Sequence, residues 1–255
     1  MELRLDGKTA LITGGSRGIG LAIAYRMAEA GANVVLSSRK AEGLESAAST
    51  LVGLPGAVST VVAHVGRPED ADRAVAATVA AFGGVDILVN NAGTNPYFGP
   101  MIDISPELMR KTYEINQASI LTFSQAAWHQ SMKDRGGSIL NIASIGGLGP
   151  EPSIGWYNVT KAAVIHTTTQ LAFELSPTVR VNAIAPGLVK TDLARALWEG
   201  REEQIAKHIP LRRLGEVDDI AAMALFLSTD ASSWITGQTI VIDGGTTNQP
   251  TGGVS

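Results

Sequence analysis

Tyr157 and Lys161 stand four residues apart in a stretch of helical period, so their side chains share one face. A free tyrosine titrates near about 10, too high for a proton shuttle at neutral pH. An ammonium a few ångströms away favours the phenolate and draws that value down. Alone, a Tyr-x-x-x-Lys pair is the ordinary amphipathic pair of a helix surface. Its neighbours change the reading. Ser144 follows a β-branched run and precedes Tyr157 by 13 residues, offering a hydroxyl that can hydrogen-bond a reacting carbonyl oxygen. Asn116 sits in mid-helix in Tyr-Glu-Ile-Asn-Gln, where an amide adds nothing to helix stability. Asn116, Ser144, Tyr157 and Lys161 are the candidate catalytic set, suited to exchanging a proton with a carbonyl or alcohol oxygen.

A second group of residues suits a dinucleotide. Thr13-Gly14-Gly15-Ser16-Arg17-Gly18-Ile19-Gly20 lies between a strand and a helix. Glycines let the backbone turn tightly and approach a pyrophosphate at the positive end of the helix. The spacing of Gly14, Gly18 and Gly20 is not the usual G-x-G-x-x-G. NAD sites place an acid at the end of the second strand for the ribose 2′-hydroxyl. Here Ser38 occupies that place, followed by Arg39 and Lys40. An acid would repel a 2′-phosphate, whereas Ser38 and Arg39 would bind it, and Arg17 could approach from the other side. NADP(H) is the expected cofactor.

These groups need a scaffold. Short β-branched runs at Thr9–Thr13, Asn33–Ser37, Val58–His64, Asp86–Asn90, Ser138–Ala143, Arg180–Ala185 and Thr239–Asp243 alternate with longer stretches of helical period. Most are continuous apolar runs, the pattern of strands buried on both faces. In Ile19–Ala30, Ile19, Ile23 and Met27 share a face and Gly31 supplies the stop. Ser105-Pro106 marks another helix start. The pattern predicts an α/β, Rossmann-like, doubly wound parallel sheet of about seven strands with helices on both faces. Residues 1–245 read as one catalytic domain, and 246–255 as a flexible tail.

The chain has 255 residues, 45% hydrophobic and 17% charged, with net charge −4 and no cysteine. That excludes disulfides, thiolate nucleophiles and zinc–thiolate sites, and it fits a reducing compartment. No Lys/Arg cluster suggests nucleic acid. Residues 1–8 lack a signal-peptide core, no segment has membrane-spanning length, and Gly-Val-Ser is not a peroxisomal ending. A cytoplasmic location is the expectation. His64, His129, His166 and His208 show no metal-ligand spacing, and there is no G-x-S-x-G elbow.

The chain resembles the short-chain dehydrogenase/reductase family over essentially its whole length. The resemblance rests on Thr13–Gly20, Asn90-Asn91-Ala92-Gly93, Asn116, Ser144, Tyr157/Lys161, Pro186-Gly187 with Thr191, and Gly237-Gln238…Asp243-Gly244-Gly245. It implies Tyr157 as acid/base and Ser144 as the group orienting the substrate oxygen. It implies that Lys161 binds the nicotinamide ribose and lowers the tyrosine pKa, while Asn116 holds a water linking Lys161 to solvent. Asn90, Asn91, Ala92 and Gly93 would line the cofactor cleft, Ile184, Pro186, Gly187 and Val189 would lie by the nicotinamide, and Thr191 would bond its amide or phosphate. Where the family usually has Asp-Val after the third strand, this chain has His64-Val65. The Val65 backbone could keep the adenine contact.

The substrate end is expected to be apolar. Asn95–Pro100 would lie at the pocket mouth with Tyr97 and Phe98, Leu188–Thr191 and Leu193–Pro210 would form a lid, and Gly146-Gly147-Leu148, Glu151 and Trp156 would complete the wall. Asn95–Pro100, Tyr157–Lys161, Ala185–Thr191 and Leu211–Gly215 are similar to the NADPH-dependent carbonyl and retinal reductase branch. Bacterial 3-oxoacyl-carrier-protein reductases share most of these motifs, and a non-catalytic dinucleotide sensor on the same fold is the remaining alternative. A small-molecule carbonyl or alcohol is the expected partner. The resemblance also implies a homotetramer.

Overall fold

The computed structural model describes residues 3–248. Strands β1 (Thr9–Thr13), β2 (Asn33–Ser38), β3 (Val58–Val62), β4 (Ile87–Asn90), β5 (Gly137–Ile142), β6 (Val179–Pro186) and β7 (Thr239–Ile242) form one parallel sheet in the order 3-2-1-4-5-6-7. Successive strand residues point to opposite faces. Ala10, Ile12, Val34 and Leu36 therefore pack under helices α1 (Gly18–Glu29) and α2 (Ala41–Ser49), and Leu11, Val35 and Leu88 pack on the opposite face. The second face is covered by α3 (Pro68–Phe82) and by a helical stretch from Pro106 to Arg135. That stretch comprises α4 (Pro106–Tyr113), α5 (Ser119–Ala127) and α6 (Lys133–Arg135), joined by π-turns at Glu114–Ala118 and Trp128–Met132. Ser105 caps α4 by accepting from the Leu108 N–H.

After β5, a 3₁₀ turn at Ile145–Gly147 leads to α7 (Gly155–Leu175), which lies on the α3 and α5 face. After β6 come the short α8 (Arg195–Trp198) and α9 (Glu202–Ala206), then α10 (Val217–Ser228) beside α1. The expected doubly wound sheet is present. Central β1 is wholly buried, whereas the edge strands β3 and β7 are only partly so, because each lacks a neighbour on one side. β3 stops at Val62, two residues before its expected end, so His64 stands in the loop that faces the cleft. The expected tail begins at 246. Thr246–Asn248 form a 3₁₀ turn, with the Thr247 N–H and hydroxyl donating to the Asp243 carboxylate. Residues 249–255 lie outside the described residues.

The strand order reverses between β1 and β4. In such sheets the crevice beyond the carboxyl ends of the strands at this switch point is where ligands bind.

Candidate active site

A cavity of about 800 Å³ opens at that point, lined from every central strand end. Its first half carries the glycine turn. Gly14 and Gly18 adopt left-handed φ values of 64° and 57°, which disfavour a side chain. Gly20 has another reason to be glycine: a Cβ there would stand 2.5 Å from both Asn91 Nδ2 and the Gly14 carbonyl oxygen. Gly20 thus packs the turn and does not itself line the cleft. Arg17, the N-cap of α1, gives no capping bond and the first turn has no acid. Free N–H groups there, beside a glycine cradle, fit a pyrophosphate.

The turn is fastened to β4. Asn91 Nδ2 donates to the carbonyls of Thr13 at 2.9 Å and Gly14 at 3.2 Å, and the Asn91 and Ala92 N–H groups donate to Thr13 Oγ1. Thr13, legible beforehand only as the first residue of the glycine-turn motif, is the residue that fastens the turn. Asn91, Ala92 and Gly93 line the cleft as expected. Asn90 does not: its amide turns inward to Asn141 Oδ1 and Ser124 Oγ. Ile184 is likewise fully buried in the core under α10. Both corrections follow from strand alternation, which sends these side chains away from the cleft.

Ser16 Oγ donates to Ser38 Oγ at 3.1 Å, and Arg39 and Lys40 stand exposed on the same rim. Arg17 reaches across the cleft mouth to Asp192, 3.4 Å away, and not toward Arg39. His64 faces the cavity while its Nδ1 accepts the Gly66 N–H and its own N–H donates to Asp70. Val65, Pro186, Gly187, Val189 and Thr191 complete the wall.

The second half holds the four polar residues. α7 brings Tyr157 and Lys161 to one face, with Lys161 Nζ 5.6 Å from the Tyr157 ring centre. Ser144, beyond β5, lies close enough to the Tyr157 hydroxyl to lower its pKa, and its Oγ accepts the Gly146 N–H. Lys161 is 3% exposed and donates to the Ile142 carbonyl at 2.7 Å. Asn116 lies in the first π-turn, fully buried. Its Oδ1 accepts from Thr94 N–H at 2.8 Å, and its Nδ2 donates to Thr94 O and Thr160 Oγ1. π-turns recur at functional sites, and this one aims an amide at Gly93, across from Lys161. Thr94 and Thr160 are further members the sequence did not reveal.

One electrostatic expectation is reversed. Burial pushes the Tyr157 hydroxyl up to about 12, opposed by the nearby Ser144 hydroxyl and reinforced by the charge of Glu151. Burial also pulls Lys161 down to about 8. Desolvation sets the direction of both shifts, so Tyr157 stands as a protonated donor.

Beyond Tyr157 the wall is mostly aliphatic, with Ile145, Ile154, Leu188, Leu193, Leu197 and Ile209, and it includes Glu151. Several expected wall residues lie elsewhere. Tyr97 donates to the Pro100 carbonyl, Phe98 is 67% exposed, and Trp156 donates to the Met109 carbonyl. Gly147 is pressed against α7, where a Cβ would meet the Lys161 carbonyl carbon at 2.7 Å, and Gly146 lies under Asn158. Leu148 is half-exposed outside the cavity.

The sheet order and this cleft define a Rossmann-like α/β fold with the cleft where such folds bind nucleotides, and comparison with known proteins places it. A family model described as "Enoyl-(Acyl carrier protein) reductase" matches residues 14–247. The chain is 43% identical to "Dehydrogenase/reductase SDR family member 4" of Sus scrofa, over 96% of this chain and 89% of that protein. A putative short-chain alcohol dehydrogenase from Sinorhizobium meliloti superposes with TM-score 0.93 at 33% identity, covering 98% of this chain and all of that one. A 7α-hydroxysteroid dehydrogenase, solved with NADH and 7-oxo glycochenodeoxycholic acid, superposes with TM-score 0.90 at 36% identity, covering 96% of each chain. The chain belongs to the short-chain dehydrogenase/reductase family, whose members are oxidoreductases using a nicotinamide dinucleotide. No helix of the described residues is long and apolar enough to cross a membrane.

Proposed function

We propose that this protein reduces a ketone or aldehyde to an alcohol with NADPH, Tyr157 delivering the proton. The observation that carries the reading is the convergence of Tyr157, Ser144 and Lys161 on the cavity that the glycine turn opens. A bound dinucleotide supplies the hydride. Ser144 holds the carbonyl oxygen beside the phenol, and Tyr157 gives its proton to the oxygen as negative charge develops there. Lys161 grips the nicotinamide ribose and brings a positive charge to the phenol as it becomes phenolate. Asn116, pinned by Thr94 and Thr160, orders a water between Lys161 and solvent. Ser38 and Arg39 take the 2′-phosphate, which selects NADPH over NADH.

A panel of ketones, aldehydes and 3-oxoacyl thioesters, scored by NADPH oxidation, tests the substrate assignment. Faster turnover of simple carbonyls is expected; a preference for carrier-bound thioesters would favour a 3-oxoacyl-carrier-protein reductase, to which the family model's description points. Against that reading, two basic residues of the segment after β6 are already paired. Lys190 contacts Glu202 and Glu216, and Arg195 contacts Asp192, so neither is free for an acidic carrier.

The pH dependence has a definite sign. With the Lys161 value lowered to about 8, kcat/KM for reduction is expected to fall as pH rises through that value and the ammonium is lost. Tyr157 keeps its proton to about 12 and adds no limb in that range. A profile level to pH 10 would contradict the role given to Lys161.

The assembly proposed is a homotetramer. Tyr113, Leu121, Val159 and Phe173 expose apolar surface on the helical face, Val241 does so on β7, and Trp234 is 99% exposed. Light scattering is expected to give four times the 26.6 kDa chain mass, and a monomer mass would rule the assembly out.

A further inference from the structure

Two carboxylates reach the cleft. Asp192 is paired with Arg17 and Arg195. Glu151 is in no ion pair among the described residues, and no cation's charge acts on it. It lines the same cavity as the aliphatic Ile145, Ile154, Leu193 and Leu197, close enough to Tyr157 for its charge to raise the phenol pKa.

The carboxylate is built into its place. Ser153, two residues on, holds a left-handed φ of 65°, and its carbonyl accepts the Gly99 N–H at 2.8 Å, tying the loop to the segment after β4. Glu151 Oε2 and Asn158 Oδ1 converge over Gly146, where a Cβ would stand 2.4 Å from one and 2.1 Å from the other. Asn158 is 6% exposed, and neither Nδ2 nor Oδ1 has a hydrogen-bond partner. Its amide lies near enough to lower the Glu151 pKa slightly against the larger, raising effect of burial, without reaching hydrogen-bond geometry. Turning the amide end for end would set Nδ2 against Oε2 and hold the carboxylate from behind.

Resting on the carbonyl-reducing reading above, we propose that Glu151 is the cation-selecting anchor of the substrate pocket. The substrate class is then a ketone or aldehyde whose body is apolar and which carries a protonated amine away from the carbonyl. A half-buried anion without a counter-ion loses hydration that nothing in the fold restores, and a substrate ammonium restores it. The same charge repels carbonyl compounds bearing a carboxylate, such as 2-oxo acids.

The test uses near-isosteric pairs, N-methyl-4-piperidone with 4-methylcyclohexanone and 4-(aminomethyl)acetophenone with 4-ethylacetophenone, at a pH where the amines are charged. The readout is kcat/KM for the cation divided by kcat/KM for its neutral partner. Removal of one charge–charge contact corresponds to about tenfold. In the wild type at least one pair is expected to favour the cation by about that factor. In Glu151→Gln the ratio is expected to fall toward one, and in Glu151→Lys below one. Because both members of a pair share the same acid and cofactor, the ratio cancels any general effect on Tyr157. A wild-type preference for the neutral ketones in both pairs, or a cation preference that survives Glu151→Gln, would overturn the anchor while leaving carbonyl reduction intact. If no carbonyl compound were turned over by the wild type, the functional reading would fall and the anchor with it.

Discussion

Tyr157→Phe is expected to lower kcat for carbonyl reduction by about 10²–10⁴-fold while NADPH binds as before. The phenol is the proton donor in this account, and phenylalanine keeps its ring but not its hydroxyl. Burial holds that hydroxyl protonated across the working pH range, so it is ready to donate without a preceding uptake step. Ser144 lies near the same hydroxyl, so Ser144→Ala should also reduce kcat, since the substrate oxygen would lose its second partner. NADPH fluorescence titration separates the two effects. A Tyr157→Phe protein with near wild-type kcat would remove the acid role, and one that failed to bind NADPH would show that the substitution had disturbed the cleft instead.

Arg39→Glu is the second large effect. Arg39 is exposed on the rim next to the Ser16–Ser38 hydroxyl pair. A charge-assisted hydrogen bond to phosphate contributes about 1.5–3 kcal/mol, so its replacement by an anion should cut kcat/KM for NADPH by on the order of 100-fold. NADH lacks the 2′-phosphate, and its kcat/KM should change by only about threefold. Initial rates with each dinucleotide at fixed carbonyl concentration give the comparison. Equal losses with both would place Arg39 outside the 2′-phosphate site.

The sheet was legible because buried parallel strands are written as continuous apolar runs, and Thr9–Thr13 is wholly buried as such a run requires. The limits of β3 were less so. Val58–Val62 sits at an edge where burial relaxes, and the β-branched run continues into the loop without a signal for the end of pairing. At the site, helical spacing places Tyr157 and Lys161 on one face but carries no information on how deeply that face is buried. Depth is what sets the direction of both pKa shifts. The π-turn around Asn116 was hidden for a related reason: a shift from i+4 to i+5 bonding is a property of the backbone, not of residue type. Asn90 and Asn91 are identical in composition, and only strand alternation decides that Asn91 meets the cleft. Tyr97 and Phe98 look like pocket residues because aromatics usually bury. Their loop instead spends the Tyr97 hydroxyl on the Pro100 carbonyl.

The most direct test of the account is the product balance of the purified protein supplied with NADPH and an apolar ketone. One alcohol formed for each NADPH consumed, with slower turnover on NADH, is the result predicted. NADPH consumption without alcohol, or no consumption across the carbonyl panel, would contradict it.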